Sequence, residues 1–282
     1  MYINKDFISK SFFLFAEPCL FCLSIAKTIY YTIETKEVFS EMIKVRNLTK
    51  KYGDFKAVDD ISFDINDGEI IGFIGANGAG KSTTIKMMTG IIQPNNGDVE
   101  FNGKSIVYDS LEAKQQFGYI PDSPDMFLRL TGLAYLNFVC DIYGVPTKNR
   151  QENIIRLAEE FKIKNSLNDR IINYSHGMRQ KINIIAVLLY NPSVWILDEP
   201  MVGLDPEAAY LLKSKMKEHV KKGNTVFFST HVLEVAESLC DKIIILKHGK
   251  VLFYGTMQSL YEQKDNESIE KIFIELMENE NV

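Results

Sequence analysis

The sequence predicts an α/β fold: a mainly parallel sheet with an antiparallel β edge and an inserted helical subdomain. Three observations predict it. A short apolar run, Ile70 to Ile74, leads straight into the glycine-rich stretch GANGAGKST and then into a helical pattern. A second apolar run, Val194 to Leu197, ends in two adjacent acids, Asp198 and Glu199. Between the two, residues 123–172 are rich in helix formers and poor in strand signals, an insertion into otherwise alternating strand and helix.

The elements follow in order from Met42. Ile43 to Val45 and Ile61 to Ile65 alternate as strands do, and Asn66-Asp67-Gly68 is the turn before the next segment. Ile70 to Ile74 is continuous enough for a strand buried on both faces. Thr84 to Thr89 reads as a helix that Gly90 stops. Val99 to Phe101 with Asn102-Gly103 predicts an antiparallel hairpin. After the insertion come the apolar segment Ile182 to Tyr190 and the strand Val194 to Leu197. Helix Glu207 to Lys221, strand Thr225 to Ser229, helix Leu233 to Leu239 and strand Lys242 to Lys247 follow in parallel-sheet grammar. The turn His248-Gly249 leads to a last strand, Val251 to Tyr254, and about residues 257–282 predict acidic terminal helices.

With 282 residues, 46% of them hydrophobic, the chain can bury a full core. A formal net charge of −5 argues against nucleic acid as partner, because duplex binding calls for a basic face. Residues 1–41 differ from the rest. Phe12 to Ala26 is apolar but interrupted by Glu17-Pro18, too short for a bilayer span and too broken for a secretory signal. It reads as an extension outside a core domain of residues 42–282, with an amphipathic membrane anchor as the rival. Cys19 and Cys22 have no second pair to complete a zinc site, so the four cysteines read as free thiols.

Gly75-Ala76-Asn77-Gly78-Ala79-Gly80-Lys81-Ser82-Thr83 contains G-x-x-x-x-G-K-[ST] between strand and helix, a P-loop. Glycines let successive N–H groups point at a β-phosphate, and the helix N-terminus adds its dipole. Lys81 reaches the β and γ phosphates, and the Ser82 hydroxyl can ligate Mg²⁺. Asp198 supplies the metal-holding acid on a neighbouring strand, and Glu199 is placed as general base. Tyr52 precedes the second strand, where an aromatic ring can stack on adenine; alone it is an ordinary loop aromatic. His231 follows Thr225 to Ser229 at the carboxyl edge of the sheet, as a donor to the γ-phosphate. A second phosphate grip lies in NYSHGMRQK, residues 173–181, where a serine, a glycine and two cations gather at a helix start.

The succession P-loop, NYSHGMRQK, WILDEP, VGLDP and STH resembles the ATP-binding cassette (ABC) family of ATPases, over residues 43 to about 256. The resemblance implies that Ser175 and Gly177 belong to the family signature, which caps the γ-phosphate of ATP on a second subunit's P-loop. It implies ATP and Mg²⁺ as ligands, a second ABC subunit read as a homodimer, and a separate transmembrane permease. The chain would sit on the cytoplasmic face of the cell membrane through that permease. Asp205 matches the loop that links the two sites in such dimers. His176 and Met178 depart from the usual signature, in the manner of bacterial ABC-2-type exporters. Asp122 stands where the family carries Gln after FGYIP; it could still ligate Mg²⁺, with altered coupling. Met126, Phe127 and Leu128 are candidates to touch the permease, or else subdomain core. The exporter reading implies ATP hydrolysis coupled to transport. A soluble ABC ATPase acting on ribosomes or DNA is the alternative, for which the sequence lacks a second cassette, a coiled-coil heptad repeat or a zinc module.

Overall fold

The spacing of the first buried residues explains an irregular opening hairpin. Ile43, Val45 and Leu48 are fully buried, so a step of two is followed by a step of three. The pairing of β1 (Glu41–Tyr52) with β2 (Phe55–Asn66) shifts register between Val45 and Leu48, and Asn47 takes a left-handed φ of 47° there. Its side chain amide donates to Asp60 Oδ1 at 3.0 Å, across the corresponding irregularity of β2, where Asp60 has φ 55°. Both strands therefore run twelve residues each, beyond the points where simple alternation ends at Val45 and begins at Ile61. The computed structural model describes residues 41–125, 127–263 and 268–278. Of the expected extension 1–41, residues 1–40, with Cys19 and Cys22, lie outside them, as does Met126, while Glu41 is the first residue of β1.

Two sheets result. The first is antiparallel in the order β2-β1-β4-β5, completed by β4 (Asn96–Phe101) and β5 (Lys104–Ser105). The second runs β10-β9-β3-β8-β7-β6. In it β3 (Ile70–Ile74), β6 (Phe117–Ile120), β7 (Val194–Leu197), β8 (Thr225–Thr230) and β9 (Lys242–Lys247) are parallel, and β10 (Lys250–Gly255) joins β9 as an antiparallel hairpin. All residues of β3, β7 and β8 are buried, as continuous apolar runs require when both faces are covered.

α1 (Lys81–Met88) starts three residues earlier than its apolar pattern, directly at the P-loop lysine. α2 (Ser110–Lys114) and the edge strand β6 have no clear sequence signal; β6 is four residues long and carries Gly118. The insertion contains α3 (Gly132–Ile142), capped by Thr131 Oγ1 accepting Ala134 N–H at 3.2 Å, and α4 (Arg150–Glu160). α5 (His176–Tyr190), α6 (Pro206–Val220) and α7 (Leu233–Leu239) return the chain to the sheet. α8 (Met257–Gln263) and α9 (Ile269–Glu278) close the described chain.

One apolar core, with Phe73, Phe227, Phe63 and Phe101, lies between the two sheets and α1. Another lies on the opposite face of the parallel sheet. It joins Val226 and Phe228 to Ile182 and Ile185 of α5, and continues without a break to Leu136 and Val139 of α3 and Ile154 and Leu157 of α4. Among the described residues no helix is long and apolar enough to cross a membrane. The topology brings the carboxyl ends of β3, β8 and β7 side by side, and the predicted chemistry hangs from those three ends.

Candidate active site

The loop after β3 is shaped by glycines that nothing else could replace. Gly80 has φ 108°, and a Cβ there would lie 2.5 Å from the Ala57 carbonyl oxygen. A Cβ on Gly75 would lie 2.6 Å from the Leu246 carbonyl oxygen. The loop is also pinned by its backbone: Ala79 N–H donates to Ala76 O at 3.1 Å, and Gly249 N–H donates to Ala79 O at 2.9 Å. Lys81 Nζ donates to Gly75 O at 2.6 Å and Ala76 O at 3.3 Å. Burial holds the Lys81 amine below the usual lysine range, opposed by the charges of Glu199 and Asp198.

Asp198 ends β7 and is 2% exposed. Burial pushes its carboxyl above the usual range, and the charges of Asp122 and Glu199 push the same way. Hydrogen bonds from the Ser229 and Ser82 hydroxyls oppose them. Ser229 Oγ donates to Asp198 Oδ1 at 2.6 Å and accepts the Glu199 N–H at 2.9 Å. Glu199 sits in the left-handed region at φ 47°, an uncommon conformation for such a residue, and this backbone bond helps to hold it. Its Oε2 lies 3.0 Å from His231 Nδ1.

These groups face one cleft of roughly 560 Å³. Its lining gathers Tyr52, Asn77, Gly78, Gly80, Lys81, Ser82, Thr83, Asp122, Glu199 and His231. Gly75 and Ala79 form the loop behind it, and Asp198 backs it through Ser82. Tyr52 is the last residue of β1 rather than a loop residue, paired across a tight turn with Phe55. Phe55, 66% exposed, and Val202, the first residue of VGLDP, also line the cleft; Phe55 carries no motif and is found only through its register with Tyr52. Ser229 opens the STH stretch, but its role as a partner of the two acids comes only from the pairing of β8 beside β7.

Ser175 and Gly177 do not line this cleft. Ser175 caps α5, its Oγ accepting Met178 N–H at 3.3 Å, and it is exposed at the start of that helix. The two cations of residues 173–181 are engaged within the chain. Arg179 is turned to Asp125 at 2.5 Å and to the carbonyls of Ile171 and Ile172. Lys181 is turned to Asp205 at 2.5 Å. Both charges have internal partners.

The donor set fits a nucleotide with a divalent ion. The P-loop is a backbone cradle with an ammonium at its base, and the hydroxyl of Ser82 touching the carboxylate of Asp198 offers the hard oxygen donors that Mg²⁺ takes.

A family model described as ABC transporter matches residues 58–202. The chain is 36% identical over 237 residues to the ABC-type transporter ATP-binding protein EcsA of Bacillus subtilis, covering 83% of this chain and 96% of EcsA. It is 34% identical over 241 residues to the probable multidrug ABC transporter ATP-binding protein YbhF of Escherichia coli, covering 84% of this chain and 42% of YbhF. The solved structure of an ATP binding subunit of an ABC transporter superposes with a TM-score of 0.79 at 33% identity, over 83% of this chain and 99% of that one. With a P-loop, Glu199 after β7 and a histidine after β8 lining one cleft and Asp198 behind it, the chain belongs to the ABC transporter family, as an ATP-binding subunit and an ATPase.

Proposed function

We propose that this chain is the ATP-hydrolysing subunit of a membrane exporter, driven by ATP-dependent pairing of two cassettes. The observation that carries the reading is the separation of the two phosphate grips. Ser175 and Gly177 lie outside the cleft that holds Lys81, so one chain has half of each of two sites. A second cassette, a copy of this chain in the simplest case, completes them.

In that arrangement the P-loop amides and Lys81 bind the ATP phosphates, and Tyr52 with Phe55 flanks the base. Ser82 and Asp198 would hold Mg²⁺, with Asp122 as a further acid at the same edge. The ion supplies charge neutralisation at the phosphate oxygens. Glu199 takes the proton of the attacking water as general base. His231, 3.0 Å from Glu199, steadies that carboxylate and donates toward the γ-phosphate. Export accords with the printed name of YbhF, a probable multidrug transporter.

The work is delivered to a separate permease, which places the chain at the cytoplasmic face of the membrane. Phe127 supports a docking role: it is 42% exposed and packs on Tyr135 and Phe138 with ring centroids 5.4 and 5.3 Å away. Leu128 turns instead toward the core. The test is to tag a Glu199→Gln chain, solubilise membranes in mild detergent with Mg-ATP, and identify what copurifies. A multi-span membrane protein is expected. Recovery only from the soluble fraction, with ribosomes or nucleic acid, would replace the transporter reading by the soluble one. Turnover of ATP by Lys81→Ala near the unmodified rate would remove the P-loop assignment itself.

A further inference from the structure

The helix that follows His231 is tied firmly at its far end only. There the chain leaving α7 (Leu233–Leu239) is bonded to β3: Ile70 N–H donates to Asp241 Oδ2 at 2.8 Å, and Asp241 N–H donates to Ile70 O at 2.9 Å. Cys240 lies against the same strand, where a Cβ on Gly72 would come within 2.7 Å of its Sγ. The near end, beside His231, has no such tie. Val232 precedes the helix without a side-chain cap, and the first helical bond, from Ala236 N–H to Val232 O, is long at 3.4 Å. Within α7 only Ala236 and Leu239 are buried.

The near half is steadied instead by the end of the chain. Leu233 and Ala236 share an apolar cluster with Ile74, Ile243 and Ile245 of the sheet, and with Leu260 of α8 and Ile272 of α9. Tyr261 of α8 packs on that cluster, and its hydroxyl donates to Glu237 Oε1, one turn along α7 from Leu233. Lys247 Nζ, at the end of β9, donates to Leu276 O of α9 at 3.3 Å, so the terminal helices grip α7 and the sheet together. None of the described residues of α8 or α9 lines the nucleotide cleft. His231 does line it, with a side chain 55% exposed, so packing around the ring does little to fix it and its backbone has to.

We propose that Tyr261 is a positioning residue: by holding Glu237 it fixes the near half of α7, and with it the backbone from which His231 reaches Glu199 and the nucleotide. The end of the chain sets the stance of a histidine that it does not touch. A hydroxyl donating to a carboxylate is a charge-assisted bond, stronger than a neutral one, and it closes the clasp that the apolar cluster begins. The inference rests on the reading of His231 as a donor toward the γ-phosphate.

The test uses the full chain and compares kcat, ATP affinity and melting temperature for Tyr261→Phe, Glu237→Ala and Glu237→Gln. Phenylalanine keeps the ring in the cluster and removes only the hydroxyl, and glutamine keeps an acceptor for it. Tyr261→Phe and Glu237→Ala are expected to lower kcat by about tenfold, as displaced catalytic groups do, with ATP affinity and melting temperature little changed. Glu237→Gln retains most of the rate. The chain has four histidines, so the imidazole resonance of His231 can be identified by its loss in His231→Ala. In Tyr261→Phe that resonance is expected to shift while the His176 resonance stays in place. Tyr261→Phe with kcat within about twofold of the unmodified chain overturns the inference. So does an unmoved His231 resonance, Glu237→Gln as slow as Glu237→Ala, or a rate that falls only with the folded fraction. His231→Ala at the unmodified rate would overturn the reading of His231 and this inference with it; a slow His231→Ala beside a fully active Tyr261→Phe would overturn this inference alone.

Discussion

Replacing Ser229 by alanine removes two bonds from the middle of the site without touching the P-loop, either acid or His231. Its side chain is fully buried, donates at 2.6 Å to Asp198 and accepts the Glu199 N–H at 2.9 Å. A hydrogen bond to a charged group contributes about 1.5–3 kcal/mol, and an amide left without a partner in the interior costs about 1–3 kcal/mol. The two are not independent, because a freed Asp198 carboxyl can take a proton. A combined loss of about 3 kcal/mol is the reasonable expectation. At roughly 2–4 °C per kcal/mol for a domain of this size, melting should fall by about 6–12 °C. Activity should fall for a different reason. The left-handed conformation of Glu199, φ 47°, loses its backbone anchor, so kcat drops while ATP affinity, set by the P-loop, is retained. Thermal melting by circular dichroism and phosphate release at saturating Mg-ATP measure the two effects. A variant melting within about 1 °C of the unmodified chain, at undiminished kcat, would refute the assignment of Ser229 as the brace between the two acids.

The buried His219 gives a pH prediction. Its ring stacks on Trp195 with centroids 4.0 Å apart, and burial lowers its pKa from 6.5 to about 4. The folded state keeps the imidazole neutral while the unfolded chain takes a proton near 6.5, so stability present above that value is lost as pH falls toward about 4. His219→Phe should flatten the fall in melting temperature between pH 7 and 5; an unchanged slope would mean that another group is responsible. A chain starting at Met42 should hydrolyse ATP at the full rate, since it drops only Glu41 from the described hairpin and retains the Asn102 N–H to Met42 O bond of 2.9 Å. Insolubility or inactivity of that chain would place residues 1–41 within the fold.

The legible parts of the site were those in which a single stretch of chain carries the chemistry. The P-loop needs its glycines, lysine and serine in a row, and the acids Asp198 and Glu199 must follow a buried strand. His231 is legible from its place after the strand Thr225 to Ser229, and the resemblance then gave the second grip, Ser175 and Gly177, its reading as a signature. What stayed hidden depends on pairings between distant residues. Phe55 reaches the cleft by pairing with Tyr52 across a turn, Ser229 meets the two acids by lying on the strand beside β7, and Lys181 meets Asp205 by an ion pair across 24 positions. The first hairpin was read short for a related reason. Bulges at Asn47 and Asp60 change the step from two to three, so true strand residues stop looking like a strand. Edge strand β6 is short and interrupted by a glycine, which leaves too little pattern to recognise.

The continuous core that runs from β8 through α5 into α3 and α4 limits how this protein can diversify. The inserted helices turn their apolar faces to α5, so they have no independent interior and are not a transplantable module. On the docking role proposed for the insertion, new permease specificity can enter by exchanging outward residues such as Phe138 and Ile142, which are 40% and 61% exposed. Changes at Leu136 or Ile154, fully buried in the shared interior, would reach the catalytic sheet as well. Under that proposal, partner choice and ATP chemistry are separable by substitution at the surface of the insertion, and inseparable beneath it.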